Sequence, residues 1–512
     1  MTLLRPQKGH TNVQNFVTTV QTSDGASLSA LHKTLVVVRY SESYYASGGV
    51  SAHLHSLNTA LSSLLHLTIY QLYLDPDHNV RVAVIAPDSQ YEQIEVLNKA
   101  KTDSGRAGEQ SLGTEGDSVF SSTEPLTRAP NLFQKVVSNF LEKLYFLLEK
   151  NAPSLWAQIR SLRRALCSPN CRWLSRCLPG VRAQIRLNDY IAECISQKIR
   201  SVHDDHPGKQ ILYIDHSPYQ PLTPVRLKRA FEAEAMAAAV YHGGYEQADI
   251  SLLMRIARRY WFGAITLNNC PRRLRSLISP TSEQHSLLHN GVDIAFFDRT
   301  RVQPGCLRRR IGAGVAARLI LVPARITYQK GQHDLLDALA VLSPDTLSQL
   351  VVVFAGQTNS RVYRRWLEKK IRMSSTLRSL TYHFVGNLDQ TDLRDGYRDS
   401  DLVVLPSHSE GVPRVLIEAQ AMGLRCVATD VGGVREAIVN ERYVSLVSAK
   451  DVTQIAKAIQ SQLEASALSA EEIEQNRRLL ESRSGLLALA KRHGKFYQSL
   501  CQSWLAGRTQ GP

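Results

Sequence analysis

The amino-acid sequence predicts an α/β protein with two domains, each a doubly wound, mostly parallel sheet covered by helices. The chain has 512 residues, which exceeds the ~250 to 300 at which a single hydrophobic core usually stops growing. Short apolar strands alternate with amphipathic helices in both halves, as in parallel sheets buried on both faces. Open sheets of this kind bind ligands at the carboxyl ends of their strands, so we expect the domains to face a cleft.

The N-terminal domain is predicted to span residues 1–295. Its predicted elements are, in chain order, strand TLVVVRY, a glycine turn at Gly48 and Gly49, helix VSAHLHSLNTALSSLL, strands VRVAVIAP and ILYIDHS, a helix near residues 224–240, and strand FGAITLN. The turn HNGVD, residues 289–293, marks the place where the two halves meet.

The C-terminal domain is predicted to span residues 296–480. Its predicted elements are strand ARLILVPARI, helix KGQHDLLDALAVL, strand LVVVFAG, a helix near residues 361–371, strands TYHFVG and DLVVLPS, a helix with Pro413 at its first position and Gly423 at its end, strand RCVATD, and a helix near residues 451–465. Residues 481–512 are predicted to form a helix that packs back toward the N-terminal domain.

An insertion at about residues 100–200 fits neither domain pattern. Residues 100–130 are rich in Gly, Ser, Thr and charge, which indicates a flexible segment. Residues 131–150 have the apolar periodicity of an amphipathic helix. From Lys135 to Arg200 there are 12 Lys and Arg against 4 Asp and Glu, a local net charge of +8. This basic segment fits a solvated face, an anionic membrane surface or a protein partner.

Composition bounds the compartment and the partners. The chain has 43% hydrophobic and 21% charged residues, and it contains no run of ~18 apolar residues and no apolar leader. We therefore expect a cytoplasmic protein, either free or peripheral at the inner face of the plasma membrane. The 8 scattered cysteines favour a reducing compartment. The net charge of +15 favours a polyanionic partner, which can be a nucleic acid, an anionic membrane or a phosphate-bearing substrate.

The segment SHSEGVPRVLIEAQAMG, residues 407–423, carries the strongest functional signal. Glu410 lies just before a predicted helix and Glu418 about a turn and a half inside it. The free N–H groups and partial positive charge of a helix N-terminus suit a diphosphate. Because helical side chains lean toward the N-terminus, Glu418 can reach the same ligand, where a carboxylate suits the vicinal hydroxyls of a ribose.

Two neighbouring turns carry complementary residues. Arg325 and Lys330 follow a predicted strand and begin a helix, where two cations could neutralise a leaving diphosphate. Gly432 and Gly433 lie in another strand-to-helix turn, where glycine permits close backbone approach to a ligand.

The ordered motifs ARITYQKG, FAGQ, FVGNLDQTDL, YRDSDLVVLPSHSEGVPRVLIEAQAMG and ATDVGGVREAI resemble the donor domain of the retaining family-4 glycosyltransferases. The resemblance covers residues 315–445 closely, and SGGV and NGVD more thinly. It implies the GT-B fold, in which two Rossmann-like domains face a cleft. It also implies transfer of a sugar from a UDP- or GDP-sugar to a glycan or lipid-linked acceptor, in polysaccharide or glycolipid biosynthesis.

The resemblance also assigns site residues. It implies that Arg325 and Lys330 bind the donor diphosphate, that Glu418 holds the ribose and that Glu410 contacts the transferred sugar. The remaining positions that it implies are His216 as an active-site histidine at a strand end, Gly48 and Gly49 across the cleft, and Gly411, Val412 and Arg414 in the donor site. Pro413 stands where many members have glycine, and its missing N–H removes one possible hydrogen bond to the ligand.

No metal or other cofactor is expected, because the resemblance implies that cations stabilise the leaving phosphate. The Asp-x-Asp triplets at residues 75–77 and 399–401 are interpreted as turn residues. Cys167, Cys171 and Cys177 lack the paired spacing of a zinc site.

Two other functions stay open. A sugar-nucleotide epimerase can share this fold, and an acceptor-independent change in the sugar would indicate one. A nucleic-acid-binding protein fits the charge, although the sequence has no stacking-aromatic or helix-turn-helix signature.

Overall fold

The computed structural model describes residues 2–3, 28, 30–41, 49–74, 80–87, 93–97, 147, 150–151, 179–216, 235–241, 262–267 and 284–509. Within these ranges the strands form two sheets. Several predicted features lie outside these ranges. They are Gly48, the predicted helix at residues 131–150 apart from residues 147 and 150, the cysteines Cys167, Cys171 and Cys177, and the triplet at residues 75–77.

The first sheet belongs to the N-terminal half. Its strands are β1 Thr2–Leu3, β2 Leu35–Ser41, β3 Ile69–Leu74, β4 Val80–Ile85, β5 Gln93–Leu97, β6 Gln210–Asp215, β7 Ala235–Tyr241, β8 Gly263–Thr266 and β9 His285–Leu287. Their order is β1-β5-β4-β3-β2-β6-β7-β8-β9. The run from β3 to β9 is parallel, whereas β4, β5 and β1 extend one edge in antiparallel fashion.

The second sheet belongs to the C-terminal half and is parallel throughout. Its strands are β10 Arg318–Pro323, β11 Leu350–Ala355, β12 Thr381–Gly386, β13 Leu402–Leu405, β14 Arg425–Thr429 and β15 Val444–Val447. The order β12-β11-β10-β13-β14-β15 is the 3-2-1-4-5-6 order of a doubly wound dinucleotide-binding sheet. In such a sheet the order reverses beside the first strand, so the loops after β10 and β13 flank the expected ligand crevice.

Helices cover both sheets. The α-helices are α1 Leu31–Thr34, α2 Gly49–Leu65, α3 Pro179–Asp205, α4 Cys306–Ile311, α5 Gln332–Ala340, α6 Pro344–Ser348, α7 Arg361–Met373, α8 Gln390–Asp399, α9 Arg414–Ala421, α10 Val452–Glu464, α11 Ala470–Ser484 and α12 Leu486–Thr509. Short 3-10 turns occur at Arg299–Arg301, Tyr328–Lys330, Leu377–Ser379, Arg435–Ala437 and Glu441–Tyr443.

Alternate side chains of the second sheet enter cores on opposite faces. In β10, Ile320 and Val322 pack with α5, α7 and α10, whereas Leu319 and Leu321 pack with α4, α8 and α9. This alternation follows from the two-residue period of a strand, and it explains why strands buried on both faces appear as continuous apolar runs in the sequence.

Strand β7 departs from the sequence-based prediction. A helix was expected near residues 224–240, but residues 235–241 form a parallel strand between β6 and β8. The run AMAAAVY is rich in alanine, which favours a helix locally. Its small side chains are instead buried in the sheet, with Ala238 and Ala239 fully inaccessible, so packing overrides the local preference.

Helix α3 belongs to the core of the first sheet. Ile191, Ile195 and Ile199 are buried with residues of β2, β3 and β6. The part of α3 from Ile191 to Ile199, which falls within the predicted insertion at residues 100–200, is therefore packed in the N-terminal half.

Helix α12 also packs on the N-terminal half. Leu489, Tyr497 and Leu500 lie in the core cluster that covers one face of the first sheet. In the same region Tyr497 accepts a hydrogen bond from the fully buried Arg39 of β2. The last helix of the chain thus completes the core of the N-terminal half.

Candidate functional site

Three loops converge at the carboxyl edge of the second sheet. They follow β10, β13 and β14, which are neighbours in the sheet, and they carry Lys330, Glu410 and Gly432 respectively. Arg325 lies in the first of these loops with an exposed side chain. The parallel order therefore gathers sequence-distant polar residues at one edge.

Lys330 and Glu410 form the central ion pair of this edge. The Lys330 Nζ lies 2.6 Å from Glu410 Oε1, and the two side chains are 17% and 10% exposed. Ser407 Oγ donates a second hydrogen bond to the same oxygen, also at 2.6 Å. The arrangement fixes a carboxylate and a cation side by side in a sheltered position, where electrostatic interactions are stronger than in water.

Backbone packing holds these loops against one another. Gly331 has φ +65°, and a Cβ there would overlap the carbonyl oxygen of Pro406. Gly432 has φ +53°, and a Cβ there would overlap the carbonyl oxygen of Glu410. Gly433 donates its N–H to the carbonyl of Gly411 at 2.8 Å. Glycine is required at both left-handed positions, so the loop that carries Glu410 is clamped from two sides.

Helix α9 begins one residue later than the sequence predicts. Pro413 is the N-cap, with φ −74° and ψ 110°, and Arg414 is the first helical residue. The extended ψ at Pro413 is the reason, because helical geometry starts only after it. Gly423 follows the helix with φ +71°, as a C-terminal glycine does.

Glu418 is buried in a small polar cluster. It is 4% exposed, and its Oε2 accepts a hydrogen bond from the Tyr397 hydroxyl at 3.0 Å. Its Oε1 accepts from Arg414 Nε at 3.4 Å. The Nη1 and Nη2 atoms of Arg414 are buried and have no hydrogen-bond partner among the residues that the structure describes. Burial, together with the adjacent Glu418 carboxylate, raises the pKa of Tyr397 well above its usual value, so this hydroxyl stays protonated as a donor.

The junction between the halves also contacts the site. Asn290 Nδ2 donates to the carbonyl oxygen of Val412 at 2.6 Å. The motif NGVD thereby reaches the turn between Glu410 and α9. His289, one residue earlier, has a pKa lowered by burial, and its Nδ1–H donates a hydrogen bond to the Leu267 carbonyl oxygen at 3.0 Å.

The sequence-predicted residues His216 and Gly49 of the N-terminal half lie at a strand end and at a helix start. His216 directly follows β6, is 7% exposed, and donates its backbone N–H to the Tyr40 carbonyl at 2.9 Å. Gly49 is the first residue of α2.

The second Asp-x-Asp triplet holds the fold of the C-terminal domain. The Asp399 carboxylate accepts backbone N–H groups from Gly305 and Arg308 at the start of α4. Asp401 Oδ2 accepts the backbone N–H of Leu319 at 2.7 Å and forms an ion pair with Arg308 at 3.0 Å. These carboxylates satisfy backbone donors, as helix caps do.

Several contact residues were missing from the sequence-based site. Each of three residues donates a hydrogen bond to the site. The donors are Tyr397 to Glu418, Ser407 to Glu410, and Asn290 to the carbonyl of Val412. Single tyrosine, serine and asparagine residues carry no spacing signal, although Asn290 stands within the NGVD motif.

Known proteins resemble the C-terminal half in sequence. The family described as glycosyl transferases group 1 matches residues 307–479. A D-inositol 3-phosphate glycosyltransferase 2 from Catenulispora acidiphila is 33% identical over an alignment of 177 residues that covers 32% of this chain and 39% of the relative. A glycogen synthase from Mycobacterium tuberculosis is 32% identical over 167 residues, 33% of this chain and 37% of the relative. The chain thus spans less than two-fifths of the length of these curated relatives.

Known structures resemble a larger part of the chain. A sucrose-phosphate synthase from Thermosynechococcus elongatus has a TM-score of 0.57 at 17% identity, and the match covers 92% of this chain and 100% of the synthase chain. HepE from Anabaena, crystallised with UDP, has a TM-score of 0.50 at 18% identity, and the match covers 60% of this chain and 82% of the HepE chain. These likenesses confirm the predicted GT-B fold of two Rossmann-like domains.

Proposed function

We propose that this chain, whose C-terminal domain belongs to the glycosyl transferases group 1 family, moves a sugar from a nucleotide-sugar donor to a glycan or lipid-linked acceptor. The observation that carries the proposal is the convergence of Lys330, Glu410 and the N-terminus of α9 at one edge of the second sheet. This edge offers a cation and free backbone N–H groups to a diphosphate, and a carboxylate to a sugar.

The diphosphate is assigned to Arg325 and Lys330. Arg325 is exposed at the crevice edge, and Lys330 forms an ion pair with Glu410. A bound diphosphate would compete with Glu410 for the Lys330 ammonium, which frees carboxylate lone pairs for sugar hydroxyls. Gly411, Val412 and Arg414 follow Glu410 directly and are assigned to the lining of the donor site.

The ribose is assigned to Glu418. Tyr397 and Arg414 hold its two oxygens, and a carboxylate has about four lone-pair positions, so acceptor capacity remains for two vicinal hydroxyls. Among the described residues the Nη atoms of Arg414 have no hydrogen-bond partner, which supports a ligand here, since a buried donor without a partner costs free energy.

The donor base is proposed to be uracil, with a guanine nucleotide as the alternative. HepE from Anabaena was crystallised with UDP and with UDP-glucose. Its fold is shared with this chain, which supports placing UDP-sugars first in a donor panel.

The proposed transfer retains configuration at the anomeric carbon. The bond from that carbon to the leaving phosphate oxygen breaks, the acceptor hydroxyl oxygen bonds to the same face, and the acceptor proton passes to the leaving phosphate. Lys330 and Arg325 stabilise the negative charge on the phosphate, and Glu410 contacts the oxocarbenium-like sugar. We propose that no metal takes part in these steps, because the two cations supply the charge.

His216, Gly48 and Gly49 complete the proposal from the N-terminal half. His216 directly follows strand β6, at the carboxyl edge of the first sheet. We infer that this edge of the sheet forms the acceptor side of the cleft. We assign His216 to acceptor binding and catalysis, and the glycine turn to the region near the phosphates.

Attachment to an anionic membrane from the cytoplasmic side is proposed for an enzyme with a lipid-linked acceptor. No helix among the described residues has the length and apolarity needed to cross a membrane. The basic segment from residue 131 onward supports surface binding instead.

A deletion that tests this membrane attachment should end before Pro179, since α3 is part of the core. Deletion of residues 131–178 should abolish co-sedimentation with anionic liposomes while neutral liposomes stay unbound, and unchanged binding would refute the attachment.

The function is tested by release of free nucleotide from a panel of UDP-, GDP- and ADP-sugars, with EDTA or with added Mg²⁺. Slow hydrolysis of one donor is expected under both conditions, with loss of at least about tenfold in Lys330→Ala and Glu418→Ala. Lys457→Ala is the matched control, because Lys457 is an exposed lysine of α10. Absence of binding and turnover for every donor would refute the transferase proposal, whereas an acceptor-independent change in the sugar would identify an epimerase.

A further inference from the structure

Two histidines and an aspartate form a compact cluster between the loops after β10 and β13. His333 and Asp334 lie at the start of α5, and His408 lies two residues before Glu410. One potential ligand atom from each residue lies within 4.8 Å of the others. His408 Nε2 is 2.5 Å from Asp334 Oδ2, and His333 Nε2 is 3.5 Å from Asp334 Oδ1. The donor set is therefore two imidazole nitrogens and one carboxylate.

The cluster is sheltered from solvent. The side chains of His333, Asp334 and His408 are 8%, 11% and 9% exposed. Tyr328 stacks on the His333 ring at 4.3 Å, and Tyr363 and Trp366 contact the same ring edge-on. An apolar, aromatic wall of this kind limits water access and strengthens the interaction of a cation with its ligands.

A second set of contacts orients His333. Its Nδ1 lies 2.9 Å from the Tyr363 hydroxyl, and Tyr363 is fully buried. This contact occupies Nδ1 and leaves Nε2 directed at Asp334. In metal sites a bound histidine likewise uses its second ring nitrogen for a hydrogen bond to a neighbouring group.

The spacing needs only small shifts to accept a metal. With metal–nitrogen and metal–oxygen bonds near 2.1 Å, ligand atoms of a tetrahedral site are about 3.4 Å apart. His333 Nε2 already lies 3.5 Å from Oδ1 of Asp334, whereas His408 Nε2 lies 2.5 Å from the other oxygen, Oδ2, and would move away from it by less than 1 Å. The three ligand atoms lie within 4.8 Å of one another, so no pair has to close by more than about 1.4 Å.

We propose that His333, Asp334 and His408 bind a divalent transition-metal ion of the Zn²⁺ type, with water as the fourth ligand. Two imidazoles and a carboxylate suit Zn²⁺ better than Mg²⁺ or Ca²⁺, which prefer oxygen ligands. The ion would tie α5 to the loop after β13. That loop carries Glu410, and the residues just before α5 carry Lys330.

The metal has a positioning role in this arrangement. None of its three ligands is among the residues assigned to the donor, so the ion acts through the backbone that holds Lys330 and Glu410. Without a metal, the Asp334 carboxylate can accept from both imidazoles, and the same three residues would form a hydrogen-bonded cluster. Direct metal binding separates these two states.

The test uses the full chain, stripped with chelator and titrated with Zn²⁺ or Co²⁺ alone. One equivalent of Zn²⁺ is expected to bind with submicromolar affinity and to raise the melting temperature, and Co²⁺ is expected to give the visible absorption of tetrahedral coordination. His408→Gln and Asp334→Asn should weaken Zn²⁺ binding at least about 100-fold. His383→Gln is the matched control, because His383 is a half-buried histidine of β12 outside the cluster.

The melting curve without metal shows whether each variant is folded. Binding that is absent in the unmodified chain, or equally strong in His408→Gln and Asp334→Asn, would overturn the proposal. These readouts do not depend on sugar transfer, so failure of the metal site and failure of the transferase proposal are distinguishable.

Discussion

The ammonium of Lys330 lies 2.6 Å from Oε1 of Glu410, and neither side chain is more than 17% exposed. Lys330→Met leaves the Glu410 carboxylate sheltered without its cation, and we expect a loss of about 3 kcal/mol in the free energy of unfolding. The double variant Lys330→Met, Glu410→Gln should recover most of this loss. Denaturant unfolding measures both values.

A second lysine provides the control for this ion pair. Lys370 lies 2.6 Å from Asp337 Oδ1, but the two side chains are 26% and 42% exposed. Lys370→Met should therefore cost less than about 1 kcal/mol. Equal losses for the two lysines would show that shelter from solvent adds nothing to the Lys330–Glu410 pair.

Tyr397→Phe removes the hydroxyl that donates to Glu418 at 3.0 Å. Loss of a buried hydrogen bond to a charged group should destabilise the chain by about 1.5 to 3 kcal/mol and, under the proposed function, weaken UDP binding. Tyr443→Phe is the control, since the buried Tyr443 hydroxyl has no hydrogen-bond partner among the described residues. Thermal unfolding and UDP titration calorimetry measure the two effects, and a destabilised Tyr443→Phe with an unaffected Tyr397→Phe would contradict the account.

Gly331→Ala should disturb the loop that carries Lys330. Gly331 and Gly312 have nearly the same φ, +65° and +68°, but only at Gly331 would a Cβ meet the backbone of Pro406. Gly312→Ala should cost about 1 kcal/mol of left-handed strain, whereas Gly331→Ala should cost about 3 kcal/mol. The midpoints of denaturant unfolding measure the two losses in stability. Similar midpoints for the two variants would rule out the contact with the Pro406 backbone as the cause of a larger loss in Gly331→Ala.

Stability should fall on acidification because of His493. Burial, followed by the nearby Arg39 and Arg492, holds the pKa of His493 well below its ordinary value of 6.5. The unfolded chain then binds more protons than the folded chain below pH 6.5, so this contribution is complete above pH 6.5 and is lost as the pH falls. The melting temperature should drop between pH 7.5 and pH 5.5, and the drop should be smaller in His493→Gln. A melting temperature that rises over this interval would contradict the sign.

The sequence alone identified most elements of the C-terminal half. Apolar runs such as LVVVFAG and DLVVLPS became strands β11 and β13 because buried parallel strands are apolar on both faces. The spacing of Glu410 and Glu418 and the two glycines after β14 pointed to one crevice. These signals are local, so they can be read from neighbouring residues along the chain.

Local signals failed where packing opposed them. The alanine-rich residues 235–241 form a strand because they are buried between neighbouring strands, a fact that helix propensity does not contain. Helix α8 was not predicted, since its residues QTDLRDGYRD are mostly polar and contain a glycine.

The sequence by itself determined the domain type, the carboxylates at a helix N-terminus and the cations after a strand. Only the tertiary structure joined Lys330 to Glu410, Tyr397 to Glu418, and Asp334 to His408, which is 74 residues away in the chain. The physical reason is the strand order of the second sheet. It brings the loops after β10 and β13 side by side, and no local pattern along the chain encodes which strands become neighbours.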